Sequence, residues 1–311
     1  MTKHTILMPV RSNPQDLGVS TMSQGEFSDR LNPPAAPRPT SISLFRPRPA
    51  PALQQPPSAQ LPVSYAAPQL TRPNPDRVWD SLSRSTLDHE LLAMNGLFAD
   101  AKQHEVTAQF DILRTRMLQA MGARGWKRIA VTSPTHGCGK SLVAANLALS
   151  LARIPTCRSL LIDLELRHPD LARLFSLAGG NLAEMLIGEQ PIEAHLRRVG
   201  PNLALALNAD PVPAAAATLL DPRVDATLRS LQQTLDPAVT VIDMPHALGN
   251  DDLIAMLPRL DAVLLVADAT RTTAQDIRSC ERIFEGRVPL MGVVLNRARD
   301  SALRRYRYHK G

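Results

Sequence analysis

Residues 129–141 read Ile-Ala-Val-Thr-Ser-Pro-Thr-His-Gly-Cys-Gly-Lys-Ser, and this stretch decides the fold. The pattern predicts an apolar strand, a tight loop and then a helix over 142–153. Gly137 and Gly139 allow the backbone to turn sharply, so that successive N–H groups point to one position. The positive dipole end of the following helix is directed to the same position. The stretch therefore predicts a phosphate-binding loop between a strand and a helix.

The end of this loop carries the chemistry of the site. Lys140 supplies a positive charge for the β- and γ-phosphates of a nucleotide, and the Ser141 hydroxyl is a ligand for Mg²⁺. The full phosphate-loop pattern has a glycine where this chain has Pro134, but the Gly-Lys-Ser end is intact. A glycine-rich turn without a ligand is the alternative, and the order of strand, loop and helix disfavours it. The predicted nucleotide-binding residues in this segment are Gly137, Cys138, Gly139, Lys140, Ser141 and Leu142.

After residue 126 the sequence alternates between short apolar runs and helical patterns. Three runs are continuously apolar at their centres, as in strands that are buried on both faces of a parallel sheet. The alternation predicts an α/β fold with a doubly wound, mostly parallel sheet flanked by helices. Helices are predicted over 85–121, in two parts with different apolar faces, and over 224–235 and 272–284. The predicted strands are 128–133, 159–163, 203–207, 239–243, 262–267 and 291–296.

Composition divides the chain into four parts. Residues 1–75 hold 15 of the 27 prolines without a sustained helical or strand period, and we predict a disordered Pro-rich tail there. Residues 76–125 are a predicted helical extension, residues 126–300 the phosphate-loop domain, and residues 301–311 a basic, tyrosine-containing tail. A ligand for a partner that binds Pro-rich segments is the functional alternative for the first part.

Charge and cysteine content restrict the class of protein. The chain carries +6, but the first 75 residues hold +4 and residues 297–311 hold +5, so the middle is slightly acidic. This distribution disfavours a basic nucleic-acid-binding domain, and we expect no nucleic-acid partner. The three cysteines have no metal-site spacing and indicate a reducing compartment. The expected location is therefore cytoplasmic, and since no stretch of about 18 apolar residues occurs, we expect a chain that is soluble or held at a membrane by something else.

Two predicted strands end in acidic residues. The strand over 159–163 delivers Asp163, followed at alternate positions by Glu165 and Arg167, which can therefore line one wall. The strand over 239–243 delivers Asp243. An acid at the end of an apolar strand downstream of a phosphate loop is the usual anchor of Mg²⁺ in such enzymes, although it can also merely cap a turn. The predicted metal ligands are Ser141, Asp163, Glu165 and Asp243.

The combination of these motifs resembles the bacterial tyrosine kinases of exopolysaccharide and capsule synthesis, within the MinD/ParA-like superfamily. The family has a second acidic motif, Asp-x-Asp-x-Arg, and residues 163–167 match it with Glu165 in place of the second Asp. The segments 110–115, 208–220, 260–266 and 292–297 resemble further family segments, so the resemblance covers roughly residues 105–300.

The resemblance implies an ATP-dependent protein-tyrosine autokinase with ATP and Mg²⁺ as cofactors. Its catalytic residues would be Lys140, Asp163, Asp243 and Arg167, with Asp163 orienting or deprotonating the tyrosine hydroxyl. Asn296 would lie near the nucleotide base. A membrane-embedded polysaccharide chain-length or co-polymerase protein would be its partner, which would hold the chain peripherally at the inner face of the cell membrane.

Departures from the family pattern affect assembly and the acceptor. The family's oligomerising Glu-x-x-Arg-x-x-Arg motif corresponds here to Ala108, Asp111 and Arg114, which puts a ring-shaped homo-oligomer in doubt. The family's C-terminal tyrosine cluster is reduced to Tyr306 and Tyr308, which are the candidate autophosphorylation sites.

Other functions are less well supported. A regulatory ATPase of the same lineage with little kinase activity is the first alternative. A MinD/ParA-like positioning ATPase is the second, but such proteins have a signature Lys where this chain has Thr135. The intact acids and Lys140 disfavour a binding module with a dead nucleotide site, and the loop lacks the glycine pattern of a dinucleotide-binding dehydrogenase. His136, His168 and His246 lie beside the three motifs and are interpreted as loop residues.

Overall fold

The computed structural model describes residues 4–8, 74–100 and 105–298. The strands in this part of the chain are β1 (His4–Met8), β2 (Ser83–Ser85), β3 (Arg128–Thr132), β4 (Ser159–Asp163), β5 (Leu196–Val199), β6 (Leu203–Ala206), β7 (Val239–Asp243), β8 (Ala262–Asp268) and β9 (Leu290–Ala298). The helices are α1 (Pro75–Ser81), α2 (His89–Met94), α3 (Glu105–Gly122), α4 (Lys140–Ala152), α5 (Leu171–Phe175), α6 (Leu182–Leu186), α7 (Ile192–His195), α8 (Ala215–Leu220), α9 (Pro222–Leu235), α10 (Asp252–Met256) and α11 (Ala274–Phe284). A 3-10 turn, Leu257–Arg259, follows α10.

The strands form one sheet in the order β1-β9-β8-β3-β7-β4-β6-β5-β2. All neighbouring strands are parallel except the pairs β1–β9 and β5–β6. Successive residues of the central strands point to opposite faces of the sheet and belong to two separate hydrophobic cores. Ala130 and Ile242 pack in the core with α8 to α11, whereas Ile129 and Val241 pack in the core with α3 to α5. Both faces of the sheet are therefore covered by helices, and the predicted doubly wound, mostly parallel α/β fold is confirmed.

The six strands predicted from the sequence are all present, within two residues at each end. The sequence analysis missed β2 and β5, which lie at one end of the sheet. The two helical parts predicted over 85–121 correspond to α2 and α3, but the first residue of that range belongs to β2. The Ser-Arg-Ser sequence of β2 has no strand pattern of its own, so only its parallel pairing with β5 makes it a strand.

The structure corrects the prediction of a disordered tail over residues 1–75. His4–Met8 forms β1, which pairs antiparallel with β9 in a register that places Met8 opposite Val293. Five residues of the predicted tail therefore belong to the sheet, and its last residue, Pro75, begins α1. Residues 9–73 and the C-terminal tail from 299 lie outside the described residues. The apolar run at the start of the tail is too short to predict a strand by itself. β1 is a strand because its residues pair with the edge of β9.

The sheet order brings the motifs together. β7 lies between β3 and β4, and its register places Asp243 beside Val131 on one side and Asp163 on the other. The carboxyl ends of these strands meet the N-terminus of α4 at one edge of the sheet, where ligands of such folds bind. None of the described helices is long and apolar enough to cross a membrane.

Candidate functional site

The phosphate loop, residues 133–139, connects β3 to α4 and depends on two glycines. Gly137 and Gly139 have left-handed backbone conformations, with φ of 78° and 88°. A Cβ atom on Gly139 would also lie only 2.3 Å from Nδ2 of Asn296, so conformation and space both require glycine. Gly139 is the N-cap of α4 and offers no side chain to its first N–H groups. These donors are therefore available to an anion, as the sequence predicted.

Lys140 lies at the centre of a buried group of acids. Its Nζ atom is 2.9 Å from Oε2 of Glu165 and 3.6 Å from Oδ1 of Asp243. Nζ also donates to Oγ of Ser141 at 3.2 Å. Burial lowers the pKa of Lys140, but the charges of Asp243 and Glu165 outweigh it and raise that pKa above 10.5. The lysine is therefore a cation, held next to the positions that the phosphates of a nucleotide would occupy.

Asp163 and Asp243 are adjacent across β4 and β7, and both are fully buried. Asp163 Oδ1 accepts a hydrogen bond from the Glu165 N–H at 3.2 Å. The other Asp163 oxygen and both Asp243 oxygens have no hydrogen-bond partner among the described residues. Burial and the charge of Asp243 raise the pKa of Asp163 well above its ordinary value. Burial raises the pKa of Asp243 to about 6, although Lys140 acts in the opposite direction.

These oxygens, of which Asp243 Oδ1 has Lys140 within ion-pair distance, fit a divalent cation. A buried carboxylate without a partner is costly, and Mg²⁺ would satisfy it through the oxygen ligands that this ion prefers. In the described part of the chain, no three His, Cys, Asp or Glu side chains are arranged to hold a metal by themselves. Mg²⁺ typically takes only one or two carboxylates and completes its shell with phosphate oxygens and water. Asp243, Asp163 and the Ser141 hydroxyl match that kind of site, whereas Glu165 makes the shorter of the two contacts with Lys140, at 2.9 Å against 3.6 Å for Asp243.

Arg167 occupies a different place from the other predicted catalytic residues. Its guanidinium forms a two-point ion pair with the buried Asp252, with Nε 2.5 Å from Oδ2 and Nη2 2.8 Å from Oδ1. Asp251 lies 3.7 Å from the same group. Arg167 does not line the cleft at the phosphate loop. The structure therefore joins Arg167 to α10 rather than to Lys140 and the two aspartates, and a role in catalysis stays a prediction.

Asn296 supports the phosphate loop from β9. Its Nδ2 donates to the carbonyl oxygen of Cys138 at 2.9 Å, and its Oδ1 accepts the Arg297 N–H at 2.9 Å. The Sγ atom of Cys138 lies 3.6 Å from the Thr135 hydroxyl, and the side chain is buried. Both residues thus act within the protein on the loop conformation. Contact of Asn296 with a nucleotide base stays a prediction.

A cleft of about 740 Å³ opens at the phosphate loop. Five of the six nucleotide-binding residues predicted around this loop line it, all but Cys138, together with Glu165. A somewhat larger cleft, of about 840 Å³, lies at the end of α11 and shares no lining residue with it. The other residues that line this cleft were not predicted from the sequence as site residues. They are Asn95, His136, His168, Pro169, Asp170, Arg173, Leu174, Ala209, Pro211 and Arg297. Most of these residues lie in loops, whereas Arg173 and Leu174 belong to α5 and Arg297 to β9, so their position at one cleft depends on the tertiary fold.

Three further charged residues that the sequence analysis missed meet at the phosphate loop. The buried carboxylate of Asp268 forms ion pairs with Arg271 and Arg297. Arg271 and Arg297 also donate to the carbonyl oxygen of Gly137, at 3.1 and 2.8 Å. Asp268 ends the apolar strand β8, just as Asp163 and Asp243 end theirs. The same signal was therefore present in the sequence, one residue beyond the predicted strand end at 267.

The three histidines beside the motifs lie close together. The ring of His136 is 6.3 Å from that of His168 and 6.4 Å from that of His246, edge to face in both cases. Burial lowers the pKa of His246. All three lie in loops, as predicted, and His136 and His168 line the cleft. Tyr306 and Tyr308 lie outside the described residues.

Comparison with known proteins agrees with this geometry. The chain is 32% identical over 199 residues to the putative tyrosine-protein kinase EpsB of Ralstonia nicotianae, a match that covers 63% of this chain and 26% of EpsB. It is 26% identical over 203 residues to the tyrosine-protein kinase YwqD of Bacillus subtilis, covering 65% of this chain and 85% of YwqD. The chain thus spans about a quarter of the length of EpsB.

A solved structure and a family match complete the comparison. The VpsO kinase domain superposes with a TM-score of 0.55 at 27% identity, covering 62% of this chain and 96% of that domain. Residues 129–307 match the family described as the CobQ/CobB/MinD/ParA nucleotide binding domain. This match includes the phosphate loop and the strands that deliver Asp163 and Asp243. The chain therefore belongs to the CobQ/CobB/MinD/ParA family of nucleotide-binding domains, and its relatives in that family include bacterial tyrosine-protein kinases.

Proposed function

We propose that this chain is an ATP-dependent protein-tyrosine kinase that regulates the polymerisation and export of an exopolysaccharide or capsule. The observation that carries the proposal is the adjacent pair of buried carboxylates, Asp163 and Asp243, beside Lys140 at the phosphate loop. The relatives named tyrosine-protein kinases support the same activity. Mg²⁺, held by Asp243 and Ser141, would neutralise charge on the phosphates.

The residues of the chain have distinct tasks in this reaction. The N–H groups of the phosphate loop and Lys140 hold and orient the β- and γ-phosphates. The free Oδ2 atom of Asp163 accepts the proton of the attacking tyrosine hydroxyl. Its raised pKa makes Asp163 a stronger base than an exposed aspartate. The acceptors in this proposal are Tyr306 and Tyr308, and a membrane-embedded co-polymerase is the partner that holds the chain at the membrane.

One observation favours a second candidate, a regulatory ATPase with little kinase activity. Asp111 accepts hydrogen bonds from Arg114 at 2.9 Å and from the Ser150 hydroxyl at 2.7 Å, and it is paired with Arg153. Arg114 also donates to the Ser150 carbonyl at 2.9 Å. The positions that correspond to the family's oligomerising motif thus join α3 to α4 within one chain. Such internal pairing leaves fewer charges for phosphorylation between neighbouring copies.

Incubation with γ-labelled ATP and Mg²⁺ separates these functions. Wild-type protein is compared with Lys140→Met and with Tyr306→Phe/Tyr308→Phe, and both labelled protein and free phosphate are measured. Label on the wild type that disappears in both variants supports a tyrosine autokinase that acts on its own tail. Free phosphate without labelled protein, even in the presence of a co-polymerase cytoplasmic segment, contradicts kinase activity and supports the ATPase.

A further inference from the structure

The outer side of the phosphate loop is held by charged side chains from the two strands beside β3, the adjacent β8 and the next strand β9. Arg271 follows β8 and Arg297 belongs to β9, and both donate to the Gly137 carbonyl oxygen. Asn296 donates in parallel to the next carbonyl, that of Cys138. Two successive carbonyls of the loop are therefore fixed by donors that belong to neither β3 nor α4.

The carboxylate of Asp268 organises the two arginines. Asp268 is completely buried, and its Oδ2 accepts from Nε of Arg271 at 3.3 Å and from Arg297. Its Oδ1 accepts from the backbone N–H and the hydroxyl of Thr270, at 2.9 and 2.6 Å. Both oxygens are thus satisfied, and the carboxylate is held rigidly. We call Asp268, Arg271 and Arg297 the brace.

The backbone of Arg297 shows that this arrangement is specified. Arg297 has a φ of 59°, in the left-handed region that residues other than glycine rarely adopt. The conformation is compensated by the ion pair with Asp268 and the hydrogen bond to Gly137. A strained residue whose side chain reaches the phosphate loop points to a function at that loop.

The geometry of the peptide bond relates the brace to nucleotide binding. In a trans peptide the C=O of one residue and the N–H of the next lie in one plane and point in opposite directions. The donors that fix the Gly137 carbonyl therefore direct the Cys138 N–H away from the brace. In the same way, the hydrogen bond from Asn296 to the Cys138 carbonyl directs the Gly139 N–H away from Asn296. These are N–H groups of the loop that surrounds a bound phosphate.

We propose that Asp268, Arg271 and Arg297 are positioning residues that orient the phosphate-loop N–H groups before nucleotide binds. This inference rests on the proposed function, because it assumes that the phosphate loop binds ATP. The brace leaves Lys140 and the two aspartates untouched, so it acts through the loop backbone. It adds to the site a buried acid and two arginines outside the phosphate-loop motif.

The test compares the affinity for ATP with the thermal stability of the free protein. Arg297→Gln removes one donor and its ion pair, and Asp268→Asn removes the charge that holds both arginines. Arg271→Gln changes a side chain that is 59% exposed and therefore leaves folding least affected. Arg282→Gln, on the exposed side of α11, is the matched control because its guanidinium donates to the Ser279 hydroxyl of the same helix and, within the described residues, forms no ion pair.

The expected result is a loss of ATP affinity of about 10- to 100-fold in Arg297→Gln and Asp268→Asn. Arg271→Gln should lose several-fold and Arg282→Gln nothing. The double variant Asp268→Asn/Arg297→Gln should lose little more than either single variant, because both act through one contact. Arg297→Lys, which keeps the charge but lacks the planar fork, should recover only part of the affinity.

Three outcomes separate this inference from the proposed function. If the wild type binds ATP and Arg271→Gln and Arg297→Gln bind it equally well, the brace has no positioning role, whatever their melting temperatures. A lower melting temperature with unchanged affinity of the folded protein also contradicts the inference, since it shows a purely structural role. If the wild type binds no nucleotide, the proposed function fails, and the role of the brace fails with it.

Discussion

The Nζ atom of Lys140 lies 2.9 Å from Oε2 of Glu165, so the cation of the phosphate loop is paired with an acid before any nucleotide arrives. Both side chains are almost entirely buried, and the contact is therefore poorly screened by solvent. The Asp-x-Asp-x-Arg motif of the bacterial tyrosine kinases has an aspartate at the position of Glu165. The side chain of aspartate is one methylene shorter than that of glutamate. The longer side chain of this protein thus competes with phosphate for Lys140.

Replacement of Glu165 by glutamine should strengthen ATP binding. Lys140 would no longer give up an ion pair when it turns to the phosphates, and we expect an affinity gain of about three- to tenfold. Displacement of a fluorescent nucleotide by ATP measures this change, with the exposed Glu193→Gln as the matched control. Weaker binding by Glu165→Gln would show that Glu165 supports the bound state, for example as the predicted metal ligand.

Replacement of Lys140 by methionine should abolish ATP binding. The variant loses the only side-chain cation within ion-pair distance of Glu165 and Asp243 among the described residues. We expect a loss of more than about 100-fold in affinity, since the lysine of a phosphate loop contacts the nucleotide phosphates directly. Lys127→Met is the control, because Lys127 is half exposed and pairs with Asp236 at a distance of 3.3 Å. Binding within tenfold of the wild type would contradict the role of Lys140.

The network at Asp111 should contribute to the stability of the chain. Asp111→Ala leaves Arg114 and Arg153 without their shared acceptor, and we expect the free energy of unfolding to fall by about 1–2 kcal/mol. Chemical denaturation measures the change. Asp225→Ala, which breaks an exposed pair with Arg229 within α9, should cost about 0.5 kcal/mol or less.

The same network leads to a prediction about assembly, for a variant that restores the charges of the oligomerising motif of the bacterial tyrosine kinases. Ala108→Glu/Asp111→Arg recreates the Glu-x-x-Arg-x-x-Arg pattern and removes the internal acceptor of Arg114. We expect a larger assembly for this variant than for the wild type in light scattering after size-exclusion chromatography. Identical masses for the two proteins would show that these positions do not determine assembly in this chain.

The free energy of unfolding should depend on pH through the carboxyl group of Asp268. Burial raises the pKa of Asp268, but hydrogen bonds from Thr270 and the contact with Arg297 outweigh it and lower the pKa to about 2. An unfolded aspartate has a pKa of about 3.9, so the folded state is favoured above that pH and loses the advantage as the pH falls toward 2. The loss amounts to about 2 kcal/mol.

Denaturation curves between pH 5 and pH 2 check this expectation. Asp268→Asn cannot titrate, so its difference in unfolding free energy from the wild type should shrink as the pH falls from about 4 to 2. The exposed Asp210→Asn serves as the control and should follow the wild type throughout. A difference for Asp268→Asn that is constant with pH would contradict a depressed pKa.

Local sequence determined the scaffold and the chemical identity of the site. The central strands have continuous apolar runs because both of their faces are buried, and that pattern can be recognised without knowledge of their neighbours. Gly137, Gly139, Lys140 and Ser141 were predictable for a similar reason, since the phosphate loop is one contiguous segment between a strand and a helix. Asp163 and Asp243 were found because each follows a strand whose carboxyl end must reach the same edge of the sheet.

Tertiary structure alone decided which of these groups face each other. The order of β3, β7 and β4 places Asp243 beside Asp163, and the pairing of Arg167 with Asp252 directs that guanidinium to α10. The strand β2 exists because β5 offers it an edge, and the brace forms because β8 and β9 end beside the phosphate loop. Such contacts join residues as many as 160 positions apart, as in the bond from Arg297 to Gly137, and no local pattern encodes them. Sequence therefore determined which chemistry is present, and packing of the sheet determined how it is arranged, because side-chain charge is a local property whereas proximity depends on the whole chain.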